Sequence, residues 1–179
     1  MLRSSLKGNL TLTAIGLAAL MNFQLIECTY AKSNPPAEVS ELNSFSAVLH
    51  YVADGDSFVV RKNGSELSIR LWGIDAPEFD QPYAQASKNT LKRLLSEKYL
   101  QIIPKDIDKY GRIVAVVHVG NMSVNSTLVA SGSAWVHDYY CKEPICVGWY
   151  ELEEKARNDK SGLWRGNNVI EPWVWKMKK

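Results

Sequence analysis

Asn63-Gly64 stands between two runs of strand-forming residues, Ser57 to Lys62 and Glu66 to Trp72. A two-residue hairpin turn needs positive φ at one or both central positions, which Asn and Gly tolerate best. The dipeptide therefore commits the two runs to antiparallel pairing. It also commits what lies at their open ends: Asp54-Gly55-Asp56 before the first run and Asp75-Ala76-Pro77-Glu78 after the second. Asp56 and Asp75, 19 positions apart, are brought to one end of a sheet by a local turn.

Other segments carry strand patterns: Ser46 to Val52, Leu100 to Pro104 and the continuous apolar run Ile113 to Val119. Helical spacing appears from Tyr83 to Glu97, where Ala84, Leu91, Leu94 and Leu95 recur opposite lysines and an arginine. A second helix is expected over Ser123 to Ala130, with Ser123 as N-cap and Gly132 beyond its end. A third is expected over Trp149 to Lys160, its glutamates early and its cations late, the order a helix dipole favours. About five short strands with about three helices predict an α+β fold, mainly a small antiparallel β barrel, with no repeat and no second domain.

The first 31 residues read as an export signal: Arg3 and Lys7, an uncharged run from Leu10 to Met21, and small residues at Thr29 and Ala31. That run is shorter than the roughly 20 residues a membrane span needs, so no stable membrane insertion is expected. Leu25-Ile26-Glu27-Cys28 is a minor alternative, a lipid anchor, with Glu27 where a small residue is required. Residues 32–44 (rich in Pro, Ser and Glu) read as a flexible lead-in, 45–166 as the folded domain and 167–179 as a solvated tail. Cleavage after Ala31 leaves Cys141 and Cys146, either a short disulfide permitted by an oxidising periplasmic or extracellular compartment or two free thiols. The three cysteines and three histidines lie far apart, which excludes a zinc-type cluster. A formal charge of only +2 excludes a broad electrostatic footprint on nucleic acid, so positive charge for a polyanion must be local.

Asp56 and Asp75 at one sheet end, with backbone carbonyls beside them, make an oxygen-only set suited to a hard divalent cation such as Ca²⁺ or Mg²⁺. Alone, Asp54-Gly55-Asp56 reads as a turn and Asp75-Ala76-Pro77-Glu78 as a turn or helix start. Arg70 lies near the Asp75 end, and Arg112 lies in the turn-like Asp108-Lys109-Tyr110-Gly111-Arg112. Each arginine alone reads as a surface charge; beside a metal the pair becomes a phosphate clamp, because a guanidinium presents a planar fork and stays charged. Glu78 is then placed to accept a proton from an attacking water.

Taken together, Asp54-Gly55-Asp56-Ser57, Arg70, Asp75-Ala76-Pro77-Glu78, Asp108-Lys109-Tyr110-Gly111-Arg112 and the Gly162-Leu163-Trp164 ending resemble the motif series of the staphylococcal nuclease family, over about Ser46 to Trp164. The resemblance implies a five-stranded OB-type barrel and a Ca²⁺-dependent phosphodiesterase acting as a monomer on DNA and RNA, with single strands favoured and 3′-phosphate products. It implies Asp56 and Asp75 as Ca²⁺ ligands, Asp54 acting through water, and the Ala76 carbonyl completing the protein ligands. Arg70, Glu78 and Arg112 match the catalytic trio. Lys109 and Tyr110 match phosphate contacts, and Tyr140 matches a tyrosine lining the nucleotide pocket. Ala76 and Ser57 replace threonines, and Asp138 stands where a second pocket tyrosine is expected. Two other readings compete: a non-catalytic OB-type module binding nucleic acid or protein, and an exported structural protein whose tail, Trp173 to Lys179, touches a partner or membrane. A decayed site would be expected to lose at least one of Asp56, Asp75, Arg70, Glu78 or Arg112, and all five are present.

Overall fold

A computed structural model describes residues 43–96 and 99–178. The expected leader, Cys28 and most of the lead-in lie outside the described residues. The Asn63-Gly64 turn forms as expected, with φ of 50° and 83°. It joins β2 (Ser57–Lys62) to β3 (Ser65–Leu71), paired from Lys62↔Ser65 back to Ser57↔Arg70.

β1 (Phe45–Val52) pairs antiparallel with β2 on one side and with β5 (Tyr99–Ile107) on the other. β5 pairs antiparallel with β6 (Ile113–Val119), and β6 closes the barrel against β3 through Ile69↔Ile113 to Leu71↔Ala115. That closing pair is parallel, so the barrel is mixed and not wholly antiparallel as the sequence suggested. Parallel neighbours need a crossover, and the connection from β3 to β6 supplies it with a helix and two strands, β5 the longer of them. The β5–β6 register shifts between Pro104 and Asp106, consistent with a proline that cannot donate to the ladder.

The barrel interior holds Phe58, Val60, Ile69, Leu71, Leu100, Ile102, Ala115 and Val117, all nearly inaccessible. Each large apolar side chain so buried contributes about 1.5–3 kcal/mol. α1 (Ala84–Leu95) covers the barrel with Leu91 and Leu95, both fully buried. After the short β7 (Met122–Ser123), α2 (Val124–Ala130) begins with the Ser123 side chain accepting from the Ser126 N–H, the expected cap. Its fully buried Asn125 is bonded to the barrel: Oδ1 accepts from the Val117 N–H at 3.0 Å and Nδ2 donates to the Trp72 carbonyl at 2.9 Å.

α3 runs over Ile145–Asn158, four residues earlier than the glutamate pattern suggested. Pro144 precedes the helix and its first turn holds no acid; the glutamates fall in its middle. Glu153 is buried, and Oε1 accepts from the Val136 N–H at 3.0 Å while Oε2 pairs with Arg157 at 3.2 Å. The helix is thus placed by tertiary bonds rather than by its dipole. Cys141 and Cys146 form a disulfide, with Cα atoms 5.7 Å apart, which ties the preceding loop to the first turn of α3.

A 3₁₀ turn follows at Gly162–Arg165, where Leu163 N–H donates to the Gly132 carbonyl at 2.9 Å. A side chain on Gly162 would come within 2.2 Å of that carbonyl, so the close approach requires glycine. The chain then forms α4 (Pro172–Met177), a fourth α-helix among the described residues and a correction to the solvated tail. Among the described residues no helix is long and apolar enough to cross a membrane.

Candidate active site

Asp54 shapes the entry to β2: its Oδ1 accepts from the Asp56 N–H at 3.0 Å, an Asx turn. Gly55 sits under α1, where a β-carbon would lie 2.4 Å from Ser87 Oγ and 2.6 Å from Ala76 Cβ. Asp56 is then delivered just before β2, and its carbonyl accepts from the Leu71 N–H at 2.9 Å. Asp75 belongs to β4 (Ile74–Asp75), which pairs with β8 (Trp135–Val136) in a small second sheet.

Both carboxylates are 2% exposed, and the Arg70 guanidinium reaches both, Nη1 to Asp56 and Nη2 to Asp75. The Asp56 carboxylate is further fixed by the Ser57 hydroxyl at 3.1 Å and the Ala76 N–H at 2.6 Å. The convergence expected from the hairpin is therefore present, with an arginine between the two acids.

Arg112 arrives from the β5–β6 turn. Asp108 accepts the Tyr110 and Arg112 N–H groups at 2.9 and 3.0 Å and holds Arg112 Nε at 2.7 Å, while Gly111 takes φ 77°. Burial acts to raise the Asp108 pKa, but its bonds to Arg112 and Tyr110 outweigh that and lower it. Arg112 Nη1 reaches Ser57 Oγ at 3.3 Å, on the residue that follows Asp56.

These groups face one cleft of about 450 Å³, lined by Asp54, Arg70, Asp75, Glu78, Tyr110, Arg112 and Tyr140. Asp56 and Ala76 lie buried beneath it. Lys109 is exposed outside the lining, its ammonium 5.1 Å from the Tyr110 ring. His137, Trp173 and Lys176 also line the cleft and had not been assigned from the sequence. His137 follows β8, and its ring lies 4.7 Å from Tyr140 and 4.6 Å from Trp173. Burial lowers its pKa, opposed by the nearby Asp75 and Asp138. The only sequence signal for Trp173 and Lys176 was the unusual density of tryptophan and lysine in the final seven residues.

The donor set suits a hard cation. Two buried carboxylates share one arginine, which leaves negative charge to be balanced, and every donor is oxygen. Among the described residues no three His, Cys, Asp or Glu side chains form a cage. Backbone carbonyls and water would have to complete the coordination, as Ca²⁺ commonly accepts.

Comparison with known proteins agrees with this geometry. The family model of the staphylococcal nuclease homologues matches residues 68–166. The chain is 36% identical to an uncharacterized endonuclease of Escherichia coli over 72% of this chain and 82% of that one. It is 34% identical to a micrococcal nuclease of Shigella flexneri, over 70% and 76% of the two chains. A Haemophilus influenzae endonuclease is 35% identical over 72% and 71%. With the family model matching more than half of the chain and relatives above 30% identity covering more than two thirds of it, the chain belongs to the staphylococcal nuclease family.

Proposed function

We propose that this nuclease is a Ca²⁺-dependent phosphodiesterase that cleaves DNA and RNA to 3′-phosphate ends, with Arg70, Glu78 and Arg112 as its catalytic residues. The observation that carries the reading is that Asp75, Glu78, Arg70 and Arg112 line a single cleft, with Asp56 buried and paired to the same Arg70. A non-catalytic module would have no need to bury two carboxylates at a cleft that also gathers two arginines.

A phosphodiester carries one negative charge, and in-line attack by water adds a second on the equatorial oxygens. Stabilisation of that developing charge is what accelerates the step. Asp56, Asp75 and the Ala76 carbonyl would hold Ca²⁺, with Asp54 acting through water. When bound, the ion supplies positive charge opposite the phosphate oxygens. Arg112, pre-aimed by Asp108, presents a guanidinium edge to the phosphate. Arg70 neutralises the two buried acids and offers its remaining N–H groups to the same region. Glu78 accepts the proton of the water whose oxygen forms the new bond to phosphorus; the 5′ oxygen leaves. Tyr110 and Lys109 flank the phosphate path, and Tyr140 with its aromatic neighbours favours unstacked bases, hence single strands. Residues 1–31 direct export to a compartment compatible with the Cys141–Cys146 disulfide, and the exported enzyme acts as a monomer.

The test is digestion of single-stranded DNA and RNA with Ca²⁺, Mg²⁺ or chelator, followed by analysis of product ends. Cutting with Ca²⁺ and 3′-phosphate ends are expected. Equal cutting in chelator would remove the metal from the account, and no cutting under any condition would favour the binding module.

A further inference from the structure

α4 is tied to the segment that carries Glu78. Trp175 Nε1 donates to Asp80 Oδ1 at 3.2 Å, and Gln81 Nε2 donates to the Ile170 carbonyl at 2.6 Å. Gln81 Oε1 in turn accepts the Glu78 N–H at 3.0 Å. From this anchored helix Lys176 extends into the cleft. Its ammonium stands 2.8 Å from Glu78 Oε1 and 3.9 Å from Asp75 Oδ2.

We propose that Lys176 is a positioning residue that holds the Glu78 carboxylate over the acidic floor of the cleft, making the C-terminal helix part of the working site. The inference rests on Glu78 being the group that accepts the water proton. Glu78 has a long, rotatable side chain, 29% exposed, next to the like charge of Asp75. Repulsion and solvation both favour rotamers that swing the carboxylate outward. An ammonium between the two acids reverses that preference, and the helix fixes the ammonium by bonding to the same Glu78–Gln81 segment. A general base that wanders from its water loses rate without loosening substrate binding.

The experiment measures kcat and KM on single-stranded DNA with Ca²⁺ for the full chain and for Lys176→Met, Lys176→Arg, Glu78→Gln and the Lys176→Met/Glu78→Gln double variant. Lys176 is about half exposed, so melting curves in chelator should be unchanged within about 2 °C. Lys176→Met is expected to lower kcat by about tenfold or more with little change in KM. Lys176→Arg should recover most of that loss. In the Glu78→Gln background the Lys176→Met substitution should have no further effect, because one residue acts through the other. A Lys176→Met enzyme with wild-type kcat, a rise in KM alone, or a full additional loss in the double variant would each overturn the proposal. Wild-type activity in Glu78→Gln would instead bring down the reading of Glu78 itself.

Discussion

Arg70→Met separates the electrostatic role of this arginine in the folded protein from the catalytic role proposed for it. In the folded protein its guanidinium serves two carboxylates that are each 2% exposed, while its own side chain is 19% exposed. Methionine keeps much of the volume and removes the charge. Breaking a buried pair by removing one partner typically costs about 3–5 kcal/mol, because a charge is left buried without its counter-charge. Here two acids lose their shared cation, and Lys176 is 3.9 Å from Asp75 and already engaged with Glu78. At roughly 2–4 °C per kcal/mol for a chain of this size, the melting temperature in chelator should fall by about 6–20 °C. A cation bound between Asp56 and Asp75 would replace the lost charge. Ca²⁺ at about a hundred times its Kd adds about 2.7 kcal/mol, and with Arg70 gone its affinity should rise, so Ca²⁺ should stabilise the variant more than the wild type. The assay is thermal unfolding of both proteins with chelator and across a Ca²⁺ titration. A variant that melts within about 2 °C of wild type in chelator, or gains no more from Ca²⁺, would refute the reasoning.

Arg112→Ala should leave melting nearly unchanged, since Arg112 is a third exposed and bonded mainly to Asp108, yet lower kcat by about 10²–10³; near-full activity of the purified variant would remove Arg112 from the mechanism. Asn125→Ala should destabilise by about 2–4 kcal/mol, because the Val117 N–H and Trp72 carbonyl lose a buried partner; urea unfolding measures it, and a loss below about 1 kcal/mol would contradict that accounting. Glu153 is buried against Val136, and burial raises its pKa despite Arg157 and the Val136 N–H acting the other way. The folded protein therefore keeps this proton at pH values where the unfolded chain has released it. The associated stability is fully present below the ordinary glutamate range and is lost as pH rises through the raised folded value. Glu153→Gln should accordingly gain on wild type between pH 4 and pH 7 in urea unfolding, and an equal difference at both pH values would exclude this origin.

Much of the cleft was legible because its placement is local. Asn63-Gly64 sets the β2–β3 register, which puts Arg70 opposite Ser57 and brings the segments carrying Asp56 and Asp75 to one end, where β4 pairing with β8 fixes Asp75. The Asp108-to-Arg112 turn was readable for the same reason, since a carboxylate bonding backbone two to four residues ahead acts within a few ångströms of its own chain. The start of α3 was misjudged because its glutamates suggested a dipole, whereas Glu153 is committed to Val136, a partner set by the fold.

What the chain alone determined is its strand alternation, its turn chemistry and the residue types available for phosphate chemistry, all governed by interactions between near neighbours. Tertiary structure decided the parallel closure of β3 on β6, the arginine shared by two acids, and the return of Lys176 to Glu78. None of these has a local signature. A six-residue helix such as α4 gains too little from its own hydrogen bonds to be specified by propensity, and it takes its place from bonds to residues some ninety positions earlier.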